Sequence, residues 1–247
     1  MTGKKRKTFL IMTAILLFLA AAVYFFQFHS YGYLMTVPCR PAFTEIAGHV
    51  YVNQNNARDH REILDLIGRA EERVRAFFGD LRFLDETIFV ICDDERLTRK
   101  LGEDHAAVTI SFPFERHYIC ISDEYLELDI LAHEITHAEL RARLTARAQG
   151  KIPAWFDEGL AVQNDDRERY SEAQWIAQTG NGERIVALEE MDTPAEFYAG
   201  TAEDRRFRYL NAKHELGLWM ASHGRQGLLE LIENLNDGAD FHTAYDR

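Results

Sequence analysis

The sequence predicts an α+β fold behind one N-terminal helix of membrane-spanning length, and three observations carry that expectation. Phe9 to Phe28 is a run of twenty residues broken only by Thr13 and Gln27. Strand-like runs follow at 43–52, 87–92, about 107–112 and about 115–121, where β-branched and aromatic residues concentrate. From Ser122 onward the pattern becomes helical. No internal repeat or low-complexity tract interrupts the chain.

The first element is the apolar run. About twenty apolar residues in a helix cross the hydrocarbon core of a bilayer. Met1 to Thr8 holds Lys4, Lys5, Arg6 and Lys7, so residues 1–8 read as a basic cytoplasmic tail and 9–28 as an anchor. Secretory signal peptides share the charge pattern, but their apolar cores run to about 7 to 15 residues. Here Val23-Tyr24-Phe25-Phe26 continues the run past Ala20-Ala21-Ala22, the stretch that could mimic a cleavage site. An uncleaved anchor is therefore favoured over a removed signal peptide. The basic tail stays inside, which puts residues 40–247 on the periplasmic or extracellular side. Tyr24, Tyr31 and Tyr33 suit the aromatic belt of a membrane interface.

Residues 40–247 are enough for one domain with a full core. The chain carries a net charge of −12; setting aside the four basic residues before Phe9, with no acid before Glu45, leaves −16. Such an acidic domain argues against nucleic acid or anionic lipid as a partner. Three cysteines, Cys39, Cys92 and Cys120, leave at least one unpaired within the chain. Cys92 and Cys120 end or lie in strand-like runs, so a bridge between neighbouring strands and two buried thiols both remain open. Cys39 follows Pro38 and lacks the small residue of a lipoprotein cleavage site, which disfavours lipid attachment.

Within the domain, 43–52 reads as a strand, Ala57 to Phe78 as an amphipathic helix with Ile63, Ile67, Ala70, Val74 and Phe77 inward, and 87–92 as a second strand. The runs at about 107–112 and 115–121 lead into a stretch from Ser122 to about Arg147 without Pro or Gly, opening with Ser122, Asp123 and Glu124 as a helix start does. Gly150 suits its end and Pro153 the first turn of the next helix, and so short a link favours antiparallel neighbours. After Leu160 the chain reads mostly as helix, with a long link between about 188 and 205 that contains Pro194 and Gly200.

The long helical stretch holds His133-Glu134-Ile135-Thr136-His137. An α-helix turns about 100° per residue, so side chains at i and i+4 share a face and two imidazoles there can grip one ion. Glu134 lies one position round, within reach of a water on that ion without being a ligand, which is the general-base position of zinc peptidases. Leu128, Leu131, Ile135, Ala138 and Ala142 form an apolar stripe opposite the histidines, so the helix is expected to have a core side and a polar working side. Histidines kept for packing alone would more often fall within that stripe. Zinc requires a third protein ligand and an open position. Glu158, 21 residues after His137 in Trp155-Phe156-Asp157-Glu158-Gly159-Leu160-Ala161, is the best candidate. Asp157 better fits an acid that stabilises a helix N-terminus. Gly159 either permits close backbone approach or is merely a tolerated helix residue. A third histidine ligand on the same segment is ruled out, since it would require Gly and His where the chain has Leu140 and Arg143.

These residues resemble a family. The block from Leu131 to Ala161 is similar to the peptidase MA-like gluzincins, distant relatives of thermolysin. Weaker likeness continues through Ile185 to Leu188, Phe197-Tyr198-Ala199-Gly200, Tyr209 with Gly224 fifteen residues on, and Gly227 to Ile232. The resemblance covers roughly residues 85 to 240. It implies a thermolysin-like zincin fold: a small mixed sheet, the active-site helix, then a mostly helical C-terminal part. It also implies peptide hydrolysis with Zn²⁺ on His133, His137 and Glu158, Glu134 as general base, and Tyr209, or else His214, as donor to the oxyanion. An open edge strand near the metal would pair with extended substrate, and Glu115 to Ser122 is the expected edge. Where the family commonly has Asn or Ser before the ligand glutamate, this chain has Asp157. The expected function is a membrane-anchored zinc metallopeptidase acting on exported or envelope proteins. The alternative is a zincin-fold binding or adaptor module that does not cleave.

Overall fold

The computed structural model describes residues 3–83, 87–101, 107–111 and 116–246. It is a mixed α+β structure with a five-stranded sheet of order β1-β2-β3-β5-β4. The strands are β1 (Phe43–Ala47), β2 (Val50–Asn53), β3 (Thr87–Cys92), β4 (Ala107–Ser111) and β5 (His117–Ser122). The chain divides into two compact units. One comprises Met1–Ala57, Phe89–Val108 and Cys120–Glu124, the other Arg58–Ile88, Thr109–Ile119 and Tyr125–Arg247.

In the first unit, α1 (Gly3–Phe28) includes Lys7–Phe28, a helix long and apolar enough to cross a membrane, with none of it buried. A short helix α2 (Ser30–Met35) follows at once. Arg40 joins the two. Its guanidinium lies 3.5 Å from the Tyr33 ring centroid and donates to the Phe26 carbonyl at the end of α1. Tyr33 is therefore buried beneath Arg40 and does not join Tyr24 and Tyr31 as an exposed aromatic. The expected strand at 43–52 is a hairpin instead: β1 and β2 pair antiparallel, and Gly48 and His49 form the turn, His49 at a φ of 71°. β2 then pairs in parallel with β3, Val50 opposite Phe89. The helix α4 (Glu95–Leu101) completes this unit. None of the three cysteines forms a disulfide; Cys92 and Cys120 are buried and Cys39 is exposed.

The second unit holds α3 (His60–Phe78), which Asp59 caps through the backbone N–H of Arg61. It buries Ile63, Ile67, Ala70 and Val74 as expected, with Phe78 in place of Phe77. Phe77 lies at the edge of the same stripe, about 20° from Ala70, and is half-buried. The histidine-bearing helix α5 (Leu128–Arg143) starts later than its sequence suggested, because Asp123–Tyr125 forms a separate 3-10 turn. Every residue from Ile130 to Leu140 is buried, so the polar side of α5 that bears the histidines lies inside the protein along with most of its apolar stripe. Its polar residues face other protein groups. Glu139, fully buried, accepts from the backbone N–H groups of Arg82 and Phe83 at 2.8 and 3.2 Å and pairs with Arg143 one turn on.

After a short α6 (Ala146–Gln149), Pro153 is the N-cap of α7 (Ala154–Gln163). Trp155 and Phe156 pack edge-on against Phe241 and Tyr245 of the last helix, α11 (Phe241–Tyr245). The opposite side of α7 lies on α10 (Ala202–Asn236), which kinks at Gly224. Gly159 makes this contact possible: a Cβ there would sit 2.9 Å from the Ala212 carbonyl oxygen. Of the two readings of that glycine, close approach holds. The long link expected at 188–205 contains a 3-10 turn (Leu188–Met191) and α9 (Pro194–Phe197); α8 (Glu172–Thr179) precedes it.

The expected substrate edge is also corrected. Glu115 lies outside the described residues, and β5 runs between β3 and β4, leaving β4 at the margin. Burial explains the order. Five successive residues of β5, His117 to Ile121, are buried, as in an interior strand, whereas β4 is mostly half-buried with only Thr109 fully inside.

Candidate metal centre

Two helices bring the predicted ligands together. His133 and His137 lie one turn apart on α5, and the close packing of α7 sets Glu158 opposite them. All three are buried. His133 Nε2 and His137 Nε2 are 3.2 Å apart, and Glu158 Oε2 is 3.5 Å from each. Tetrahedral zinc with bonds of about 2.0 to 2.1 Å separates its ligands by about 3.3 to 3.4 Å, so the triangle already has the size such an ion requires.

The electrostatics agree with the geometry. Among the described residues Glu158 Oε2 has no hydrogen-bond partner although it is buried, which is costly for a carboxylate oxygen unless a cation faces it. Burial acts to lower the pKa of His137, but the Asp157 and Glu158 carboxylates outweigh it and hold the imidazole well above its ordinary range. Burial likewise acts to raise Glu158, yet His137 and His133 hold it well below the usual carboxylate value. Both shifts reflect acidic groups gathered around the imidazoles, a setting that favours positive charge. Two imidazoles and one carboxylate are a donor set that suits zinc, and the residues present fit the ion.

A further layer of side chains orients the ligands. His137 Nδ1 is 2.6 Å from Asp157 Oδ1, which selects the tautomer that leaves Nε2 free to bind. Asp157 thus does more than stabilise the start of α7. Arg141, one turn after His137, donates to Asp157 Oδ2 at 3.2 Å and to the Thr109 carbonyl at 3.0 Å. Asp165, fully buried and paired with Arg167, sets Oδ2 3.9 Å from His133 Nδ1. Tyr198 donates its hydroxyl to Glu158 Oε1. Burial, then the charge on Glu158, raises that phenol's pKa, so it stays a donor.

Glu134, the predicted base, is buried beside the triangle. The Thr109 hydroxyl is 2.6 Å from its Oε2 and 2.9 Å from its backbone carbonyl, and its single proton serves one of them at a time. Tyr209 also reaches the centre: its ring lies 6.2 Å from that of His133 and packs edge-on against Phe197 at 5.0 Å. His214, the second choice for oxyanion donor, is engaged elsewhere. It stacks on Trp175 at 3.5 Å and pairs with Glu172 at 3.1 Å, beside a cavity of about 300 Å³.

Four of these residues escaped the sequence reading. Thr109, Arg141 and Asp165 carry no motif, although Arg141 follows His137 by one helical turn and faces the same way. Tyr198 stood in a stretch already singled out, with no role assigned. Compared with known proteins, the chain matches no family model and no curated protein.

Proposed function

We propose that the chain is a membrane-anchored zinc metallopeptidase of the gluzincin type that hydrolyses peptide bonds of exported or envelope proteins. The observation that carries this reading is the buried triangle of His133, His137 and Glu158 with Glu134 beside it. The order of elements, a mixed sheet, then the histidine helix, the glutamate helix and a helical C-terminal part, supports a thermolysin-like architecture.

When bound, zinc supplies Lewis acidity, polarising a carbonyl and lowering the pKa of water to about 7. The chain's own residues do the rest. Thr109 holds one oxygen of Glu134, and the other accepts a proton from the attacking water and returns it to the leaving amine. Tyr209 directs its phenol to the oxygen that becomes negative. Burial, Glu158 and Tyr198 push the Tyr209 phenol well above its ordinary range, so it donates without losing its proton. The apolar α1 supports a single-pass anchor, with the catalytic part on the periplasmic or extracellular side.

The test compares purified wild type with two variants. Wild type should hold about one zinc per chain, as expected for three protein ligands beside an open position. Glu134→Gln should keep the metal and lose cleavage by a factor of about 10² to 10⁴. Glu158→Ala should fail to retain zinc. Wild-type protein free of stoichiometric metal would sink the proposal, and unchanged behaviour of Glu134→Gln in cells would favour the adaptor reading.

A further inference from the structure

We infer that Tyr198 is a positioning residue that restricts Glu158 to a single ligating oxygen, an inference that rests on the metal-site reading above. A carboxylate can meet a cation with one oxygen or with both. Here the two oxygens have different partners: Oε1 takes the Tyr198 hydroxyl, Oε2 lies 3.5 Å from each imidazole of the histidine pair, and the Tyr209 phenol also hydrogen-bonds the carboxylate. With Oε1 held away, His133, His137 and a single oxygen of Glu158 would hold the ion and leave room for one more ligand, as hydrolytic zinc requires. Without the phenol, Oε1 is free to turn inward and fill that position.

The turn that carries Tyr198 is held more firmly than a surface link requires. Thr193 and Glu196 form a capping box before it at the start of α9, and Thr201 and Asp204 form another after it at the start of α10. Arg208 donates to the carbonyls of Phe197 and Ala199 at 3.3 and 2.6 Å, gripping the backbone on either side of Tyr198. Gly200, at a φ of 80°, allows the chain to reverse there. The Tyr198 ring is 44% exposed and meets Phe197 edge-on, while its hydroxyl points inward to Glu158. The hydroxyl contact is what this turn places.

Cobalt(II) replaces zinc in the purified full-length chain, and its visible absorption reports ligand number. Wild type should give the intense bands of a four-coordinate ion, and Tyr198→Phe should lose intensity as the ion moves toward five ligands. Arg208→Gln, which loosens the turn but keeps the phenol, should shift the spectrum in the same direction by less. Thermal unfolding of the metal-free proteins separates this from a structural role. A lower midpoint with an unchanged cobalt spectrum in both variants would overturn the inference, as would a five-coordinate spectrum in wild type. Wild type that takes up no cobalt would overturn the metal-site reading and this inference with it; identical spectra from loaded wild type and variants would overturn this inference alone.

Discussion

His117 shows how strongly one position can depend on its surroundings. Nothing in the sequence marks it, yet it is buried in β5 with its Nδ1 2.8 Å from Ser111 Oγ and the Arg141 guanidinium nearby. Burial, then the charge on Arg141, lowers its pKa from 6.5 to about 4. The imidazole is neutral in the folded protein at neutral pH. Below pH 6.5 the unfolded chain binds a proton that the folded chain refuses, so its contribution is present above that value and lost as pH falls toward about 4. From this group alone, stability should fall by about 2 kcal/mol between about pH 7.5 and about pH 5. Urea unfolding followed by tryptophan fluorescence measures it, and His117→Asn should flatten the slope by that amount. An unchanged slope would mean that His117 titrates normally.

At the scale of elements, the contact of α7 with α10 sets the position of Glu158. Neither helix has much choice there: one side of α7 is occupied by the aromatic cluster of Trp155, Phe156, Phe241 and Tyr245, and the other meets the Ala212 backbone across Gly159. Gly159→Ala would force a methyl group to 2.9 Å from a carbonyl oxygen, inside van der Waals contact. The helices must separate to relieve it, at a cost of about 1 to 3 kcal/mol. Because Glu158 is the adjacent residue, the same shift should also weaken metal retention. Denaturation midpoints and bound zinc per chain measure the two effects; a stability loss with full zinc content would show that α7 absorbs the strain without moving Glu158.

For the whole molecule, the proposed anchor makes orientation the property to test: on which side of a membrane the candidate metal site would lie. None of the Lys7–Phe28 span is buried, and Lys4, Lys5, Arg6 and Lys7 stand at its N-terminal end, so the proposed orientation rests on charge. A reporter active only outside the cytoplasm, fused after Arg247, should be active. Moving the basic cluster from residues 4–7 to just after Phe28 should reduce that activity, and a reporter active only in the cytoplasm would reverse the assignment.

The local sequence determined those features that depend on spacing along one helix. His133, Glu134 and His137 could be read directly because a five-residue pattern on a helix fixes its own geometry, and the membrane-length helix because a run of apolar residues needs no partner to be recognised. Glu158 was legible through its motif, but its approach to the histidines depends on how α5 and α7 pack. The edge strand was misassigned because strand order is not written in any single strand; only the burial of β5 reveals it. Thr109, Asp165 and Tyr198 were invisible for a similar reason. They lie 25, 32 and 40 residues in sequence from the groups they face, Glu134, His133 and Glu158, and such pairings are made when the chain folds and not by any local preference.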